Sequence, residues 1–258
     1  MPSINKGAPF FSVVLPVYNG QEFIAEAIES VLNQNFKSME LIVVNDGSTD
    51  NTENVLKTFE EEITYLKQDK HGPSHARNRG VEAANGAYIS FIDADDVWVP
   101  NCLTTHFDQI ERFKNLDISL GLTCEMSFSN VEEVDLNQAE KNSSMYLSLC
   151  AVAVNRTVFD KVGFFDEELI LSQDIDWFFR ARDNELNIAI SRKLVLLYRR
   201  HLNNRTNDKK MSRFYLFKLL KKTKDRRAGS QISLKSIMKK PENQDELIEK
   251  WHSATPNE

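Results

Sequence analysis

The feature that most constrains the fold is an alternation of two apolar periods across the first hundred residues. Phe10–Val17 is an apolar run of strand length, containing Pro16 and closed by the turn-forming pair Asn19-Gly20. Phe23, Ala27, Ile28, Val31 and Leu32 then recur at helical spacing within Glu22–Leu32. Leu41–Val44 reads as a buried strand, followed by a helix from about Asp50 to Glu61 that Asp50 or Thr52 can cap. Ile63–Leu66 gives a short strand, Ser74–Ala84 a helix stopped by Gly86, and Ala87–Ile92 a fourth strand. Such repeats predict parallel strands joined by right-handed crossovers, with helices on both faces of the sheet. Ligands of such sheets bind beyond the carboxyl ends of the strands. Three of these strands end in polar turn residues, Asn19, Asp46 and Asp93–Asp96, which should converge on one crevice.

After Pro100 the pattern loosens. Asn101–Phe113 is helical in period, whereas Cys124–Ser144 is acidic and irregular. Leu147–Val154 restores an apolar run, Val158–Val162 a helical turn, and Asp174–Leu186 a longer helix. Leu194–Tyr198 is a last strand candidate and leads into Arg199-Arg200-His201.

Composition narrows the class. With 258 residues, 41% of them hydrophobic, the chain can bury one large core. It holds no run of about 18 apolar residues that would span a membrane. Met1–Pro9 lacks the basic-then-apolar pattern of a secretory signal, so the cytoplasm is the expected location. Cys102, Cys124 and Cys150 are odd in number and widely spaced, which fits reduced thiols.

The net charge of −6 hides an asymmetry: Lys209–Lys240 carries twelve Lys or Arg against the single acid Asp225. The body and the last eighteen residues are correspondingly acidic. In the basic block Met211, Phe214, Tyr215, Phe217, Leu219 and Leu220 interleave with lysines and Arg213. A helix of this kind either lies in a membrane interface or packs its aromatic residues on the body and leaves its lysines in water. An acidic body without a recognisable nucleic-acid module leaves no nucleic-acid partner to expect.

Asp93, Asp95 and Asp96 crowd three carboxylates into four residues at a strand end. Buried like charges repel unless a cation lies between them, and hard oxygen ligands suit Mg2+ or Mn2+. The alternative is an exposed Asp turn that caps the next helix. Neither a GxxxxGK[ST] loop nor a GxGxxG after the first strand is present, so a P-loop or dinucleotide fold is disfavoured. Gly72–Gly80 instead offers a loop entering a helix, with Arg77 and Arg79 as candidate phosphate ligands. Asp174 and Asp176 open the late helix, where an acid either complements the dipole or serves as a general base. His201 is a candidate metal ligand or a polar surface residue.

Taken in order, these segments resemble the inverting family-two glycosyltransferases of GT-A fold. The resemblance rests on Val14–Gly20, Ser30–Gln34, Glu40–Thr52, Ala76–Gly80, Phe91–Asp96, Val162–Glu167, Gln173–Trp177 and Tyr198–His201, and covers roughly residues 10–205. It implies a Rossmann-like, mostly parallel sheet flanked by helices. A nucleotide-binding half would span about 8–100, an acceptor-binding half about 101–205, and 206–258 would form a basic helical extension with an acidic tail. It further implies that Pro16, Val17, Tyr18, Asn19 and Asp46 line the base and ribose pocket. Arg77 would lie near the diphosphate, and Asp93 and Ala94 near the ribose. Asp95 and His201 would hold Mn2+ or Mg2+, with Asp96 as a further ligand, and Asp174 would be the general base. The implied partners are a nucleotide-sugar donor, UDP-sugar by default, and an unknown acceptor (glycan, lipid-linked glycan or peptide), in synthesis of a polysaccharide, glycolipid or other glycoconjugate. Attachment to the inner membrane face through 209–240 is compatible with this.

Two departures stand out. Gln173 occupies a position where the family often has Glu, and Leu120–Leu149 matches no recognisable acceptor segment. Two other readings stay open: a nucleotidyltransferase, although its phosphate-loop signature is missing, and a degenerate transferase-like binding module.

Overall fold

In the computed structural model, residues 7–184, 186–226 and 246–251 are described. The first half follows the alternation: β1 (Phe11–Val17), α1 (Ile24–Leu32), β2 (Met39–Asp46), α2 (Thr52–Lys57), β3 (Thr64–Gln68), α3 (Pro73–Ala83) and β4 (Tyr88–Phe91). These four strands pair in parallel, in the order β3-β2-β1-β4. The second half adds β5 (Val97–Trp98), α4 (Cys102–Arg112), β6 (Ile118–Met126), α5 (Leu136–Asn142), β7 (Val152–Asn155), α6 (Val158–Val162), α7 (Gln173–Arg182) and β8 (Leu186–Arg199). The sheet continues past β4 through β7, β6 and β8 to β5. There the pairing is mixed, with β7 antiparallel to both β4 and β6.

Side chains alternate across β1 and β2 as the period of two requires. Val14, Ile42 and Val44 join the core cluster under α3, α6 and α7, whereas Val13, Leu15, Leu41 and Val43 join the one under α1, α2 and α4. Helix α3 lies directly on β1: a Cβ added at Gly80 would sit 2.3 Å from Val14 Cγ1. Cys102, Cys124 and Cys150 are free and buried, as their spacing implied.

Several elements differ from the sequence reading, among them α7, which ends at Arg182 rather than Leu186. Helix α2 stops at Lys57 rather than Glu61, because the consecutive acids Glu60, Glu61 and Glu62 would oppose the negative end of the helix dipole. Strand β6 and helix α5 occupy part of the segment that read as irregular. The small residues Ser119, Gly121 and Thr123 mask the strand. Gly121 is needed there, because an added Cβ would meet Val195 Cγ1 at 2.5 Å where the β6–β8 register shifts. Strand β8 begins at Leu186, eight residues before the expected start, since Asn187, Arg192 and Lys193 interrupt its apolar pattern.

Helix α8 (Lys209–Arg226) forms in the basic block, and β9 (Glu246–Trp251) returns to pair with β8. The rest of the basic block, 227–240, lies outside the described residues. No described helix is long and apolar enough to cross a membrane.

Candidate active site

Topology brings four strand ends to one edge. β1, β2 and β4 are mutually parallel, β7 opposes β4, β6 opposes β7, and β8 runs along β6. The residues after β1, β4 and β8, together with Asp46 at the end of β2, therefore leave the sheet on the same side. Cys150, just before the reversed β7, arrives there as well.

The loops after β1 and β2 are stitched together. The Asn19 amide donates to Ser48 Oγ at 3.0 Å, and its Oδ1 accepts from the Thr49 amide at 2.8 Å. Gly20 donates to Thr52 Oγ1 at 2.9 Å. Asn19 holds a φ of 52°, a left-handed conformation that Asn tolerates better than most residues. Tyr18 is exposed, with Lys70 Nζ 3.8 Å from its ring centroid. The Val17 side chain belongs to the core, and Pro16 sits in register with Val44, so both contribute strand backbone at this edge.

Asp46 is buried and largely occupied. Its Oδ1 accepts from Gln68 Nε2 and the His71 amide, each at 2.8 Å, and its Oδ2 from the Gly72 amide at 2.8 Å. The anion at the entry to α3 is thus the chain's own carboxylate. Arg79 donates to the Lys67 carbonyl at 2.6 Å, at the end of β3.

Arg77 is buried and donates through Nη2 to Asp93 Oδ1 at 2.5 Å. Its Nε and Nη1 are buried with no hydrogen-bond partner among the described residues. A buried guanidinium with open donors matches the oxygens of a diphosphate. Asp174, in the first turn of α7, receives a single bond, from the Ile175 amide at 2.8 Å. Burial raises its pKa above the usual carboxylate range, and Asp93 acts in the same sense; the Ile175 amide and Arg77 oppose this. Ala94 packs close to Gly20, where an added Cβ would lie 3.4 Å from Ala94 Cβ. Asp176 differs from Asp174: fully buried, it binds Arg180 Nε at 2.9 Å and Arg226 Nη2 at 2.6 Å, and so fastens α8 to α7.

His201 Nε2 lies 3.0 Å from Asp95 Oδ2, and Asn204 Nδ2 is 3.4 Å from the same oxygen. Asp96 accepts the Arg199 amide on Oδ1 at 3.0 Å, while its Oδ2 is buried with no partner among the described residues. Burial, reinforced by the charges of Asp95 and Asp93, pushes the Asp96 carboxyl well above its ordinary range. Asp95 and His201 would offer an oxygen and a nitrogen to a hard divalent ion, whereas Asp96, with its open oxygen, groups with Asp93 and Cys150. The structure thus does not gather Asp95, Asp96 and His201 into one close donor set among the described residues. Cys150 offers its sulfur within 4.8 Å of donor atoms of Asp93 and Asp96. Burial raises its thiol pKa well above normal, so it stays a soft, neutral group that suits such an ion poorly.

Sequence reasoning gave no role to Arg199 or Asn204. Arg199 is fully buried; Nε donates to the Asp95 carbonyl at 2.9 Å and Nη1 to the Phe128 and Ser129 carbonyls at 3.2 and 3.1 Å. Nη2 pairs with Glu26, and the guanidinium stacks on Phe23 and Phe128 at 4.5 and 4.1 Å. Asn204 accepts the His201 amide at 2.6 Å and donates to the Arg199 carbonyl at 3.1 Å. The Arg199 contacts reach residues 70 to 173 positions away, and no local spacing announces them.

A parallel half-sheet with its acids and a histidine gathered at the carboxyl edge, continued by a mixed half, is the architecture of GT-A glycosyltransferases. The chain belongs to glycosyl transferase family 2, whose model matches residues 12–165. Among its relatives, an uncharacterized glycosyltransferase of Rickettsia prowazekii is 31% identical over 186 residues, covering 67% of this chain and 58% of the relative. Glycosyltransferase GlyG of Streptococcus pneumoniae is 34% identical over 130 residues, covering 49% and 41%. This chain thus spans about three fifths or less of the length of these relatives. Of solved structures, S. aureus TarS 1-349 in complex with UDP-GlcNAc superimposes with a TM-score of 0.69 at 20% identity, over 88% of this chain and 68% of that one. Mannosyltransferase PcManGT of Pyrobaculum calidifontis, in complex with GDP-Man and Mn2+, gives 0.62 at 16% identity, over 90% and 67%.

Proposed function

We propose that this chain moves a sugar from a nucleoside-diphosphate sugar, UDP-sugar by default, to an acceptor hydroxyl with inversion at the anomeric carbon. One observation carries the reading: a buried guanidinium with open donors, Arg77, shares an electrostatic neighbourhood with Asp93 and the under-bonded carboxyl of Asp174. Arg77 receives the diphosphate, the edge from Pro16 to Asn19 with Asp46 receives the base and ribose, and Asp93 and Ala94 lie at the ribose. Mn2+ or Mg2+ on Asp95 and His201, with Asp96 as a further ligand, would neutralise charge on the departing diphosphate.

Asp174 takes the acceptor proton while the hydroxyl oxygen attacks the anomeric carbon. The bond from that carbon to the diphosphate oxygen breaks on the opposite face, and its electron pair leaves with the nucleoside diphosphate. A single displacement of this kind inverts the centre and needs no covalent intermediate. The raised pKa of Asp174 makes it a stronger base once ionised. In this reading 8–100 is the donor half, 101–205 the acceptor half and 206–258 an extension, and the enzyme works in the cytoplasm on a growing polysaccharide, glycolipid or other glycoconjugate.

Thermal shift with UDP, GDP, dTDP or CMP, each with Mn2+, Mg2+ or EDTA, tests the donor site. A ligand at about 100 times its dissociation constant adds roughly 2.7 kcal/mol. A metal-dependent shift with one diphosphate is expected; no shift in folded protein removes the donor site. Asp174→Asn should keep that shift and lose at least about 100-fold in turnover. Unchanged turnover would exclude Asp174 as the base.

A further inference from the structure

Helix α8 turns opposite sides to the body and to solvent, and the division does not follow the usual one. Its buried residues are Leu219 and Thr223. Three of its cations also face the body. Lys222 pairs with Asp166 and Glu168 at 2.5 and 2.7 Å, Lys218 with the Glu168 carboxylate at 3.5 Å, and Arg226 with Asp176 at 2.6 Å. The aromatic residues point outward: Phe214 is 63% and Phe217 72% exposed, with Met211, Leu216 and Leu220 exposed beside them. Both arrangements expected from the sequence are thereby modified, for the helix packs on the body but not through its phenylalanines.

Lys210, Arg213, Lys221 and Lys224 are exposed around the outward phenylalanines, and no acid pairs with them among the described residues. Two exposed phenyl rings ringed by four free cations form a face with an apolar centre and a positive rim. We propose that this face docks on an anionic lipid bilayer, with Phe214 and Phe217 entering the interface and the four cations meeting head groups. Charge complementarity selects this occupant. A second copy docked face to face would set cation against cation at the rim. The acidic body is repelled by anionic lipid, which favours an orientation with the α8 face toward the surface. The inference rests on surface packing alone and stands whether or not the proposed transfer is correct.

The test is co-sedimentation of the full chain with vesicles of phosphatidylcholine alone, or with 30 mole per cent phosphatidylglycerol, at low and high salt. Binding is expected only to the anionic vesicles and should weaken with salt. Lys221→Gln with Lys224→Gln should weaken it about 25-fold, at about fivefold per cation near the surface. Phe214→Ser with Phe217→Ser should weaken it at least about tenfold. All these side chains are exposed, so melting temperatures should stay within about 2 °C of the parent, which verifies folding. In an otherwise unchanged chain, Phe217→Trp should show blue-shifted emission on anionic vesicles. Equal binding to both vesicle types, undiminished binding of the double Phe variant, or an unshifted Trp signal on bound vesicles would each overturn the proposal. A concentration-dependent dimer abolished by the Phe substitutions would overturn it in favour of a second copy.

Discussion

Arg199→Lys is the substitution that most directly probes how the site is held. The guanidinium of Arg199 serves the Asp95, Phe128 and Ser129 carbonyls and Glu26 at once, and lies against two phenyl rings. A lysine ammonium keeps the charge and can reach Glu26, but it lacks the planar fork needed to serve the other groups together. Three carbonyls losing a charged donor cost about 1 kcal/mol each, and the loss of stacking about 1 kcal/mol more. The sum is about 4 kcal/mol. For a chain of this size that corresponds to a fall in Tm of roughly 8–16 °C. The Asp95 carbonyl is among the orphaned groups, so the peptide carrying Asp95 loosens and nucleotide binding in Mn2+ should weaken alongside the melting temperature. Differential scanning calorimetry gives the first quantity and calorimetric titration of UDP the second. A melting temperature within 2 °C of the parent would refute the argument, since the contacts would then be contributing almost nothing.

Three further outcomes follow from particular contacts. His106 is buried and its pKa is lowered from 6.5 to about 3 by burial, so below pH 6.5 the unfolded chain binds more protons than the folded one. Stability should therefore fall by about 3 kcal/mol between pH 6.5 and 4, and a urea-melt series on His106→Gln should show a shallower acid slope. Gly80→Ala would place its Cβ 2.3 Å from Val14 Cγ1 and force α3 off β1; a loss of about 2–3 kcal/mol is expected in denaturant melts. Arg226→Ala leaves the buried Asp176 with Arg180 alone. Because Arg226 is one-third exposed, the cost should be about 1–2 kcal/mol, below that of breaking a fully buried pair. Limited proteolysis should then cleave α8 sooner than in the parent.

The parallel half of the sheet was legible because each of its strands is a short apolar run closed by turn residues. The helices between them carry period-3.6 stripes that only one face can bury. The Asp93–Asp96 cluster was legible for a similar reason, as three carboxylates at a strand end stand out against any background. Strand β6 was not, because Ser119, Gly121 and Thr123 are small for reasons of packing against β8 and dilute the apolar signal. In the sequence Arg199 could not be told from its neighbour Arg200. The distinction is tertiary: Arg199 is buried among Glu26, Phe23 and Phe128, while Arg200 reaches outward to Glu125 at 2.5 Å. The outward aromatic side of α8 was hidden likewise, since the interleaved pattern is the same whichever side faces the body. The acids Asp166, Glu168 and Asp176 decide it.

The buried acids at this edge also show how residues of one type divide their work, and the division follows from how many donors each receives. Asp176 is met by two guanidinium groups and Asp46 by three N–H donors, so both are well-satisfied internal parts of the structure. Whatever contact Asp46 makes with a nucleoside it makes with little of its acceptor capacity left. Asp174 accepts from the Ile175 amide, and Asp96 leaves an oxygen with no partner among the described residues. Burying a carboxylate without donors is costly, so these two acids are held in a state that a bound cation or an incoming proton would relieve. Gln173 fits the same logic. It is buried beside Asp174, and its side-chain oxygen has no partner among the described residues. A charged glutamate in that place would add a second unmet carboxylate and push the Asp174 pKa further upward. A neutral amide keeps Asp174 ionisable while Arg77, rather than a neighbouring acid, sets the local potential.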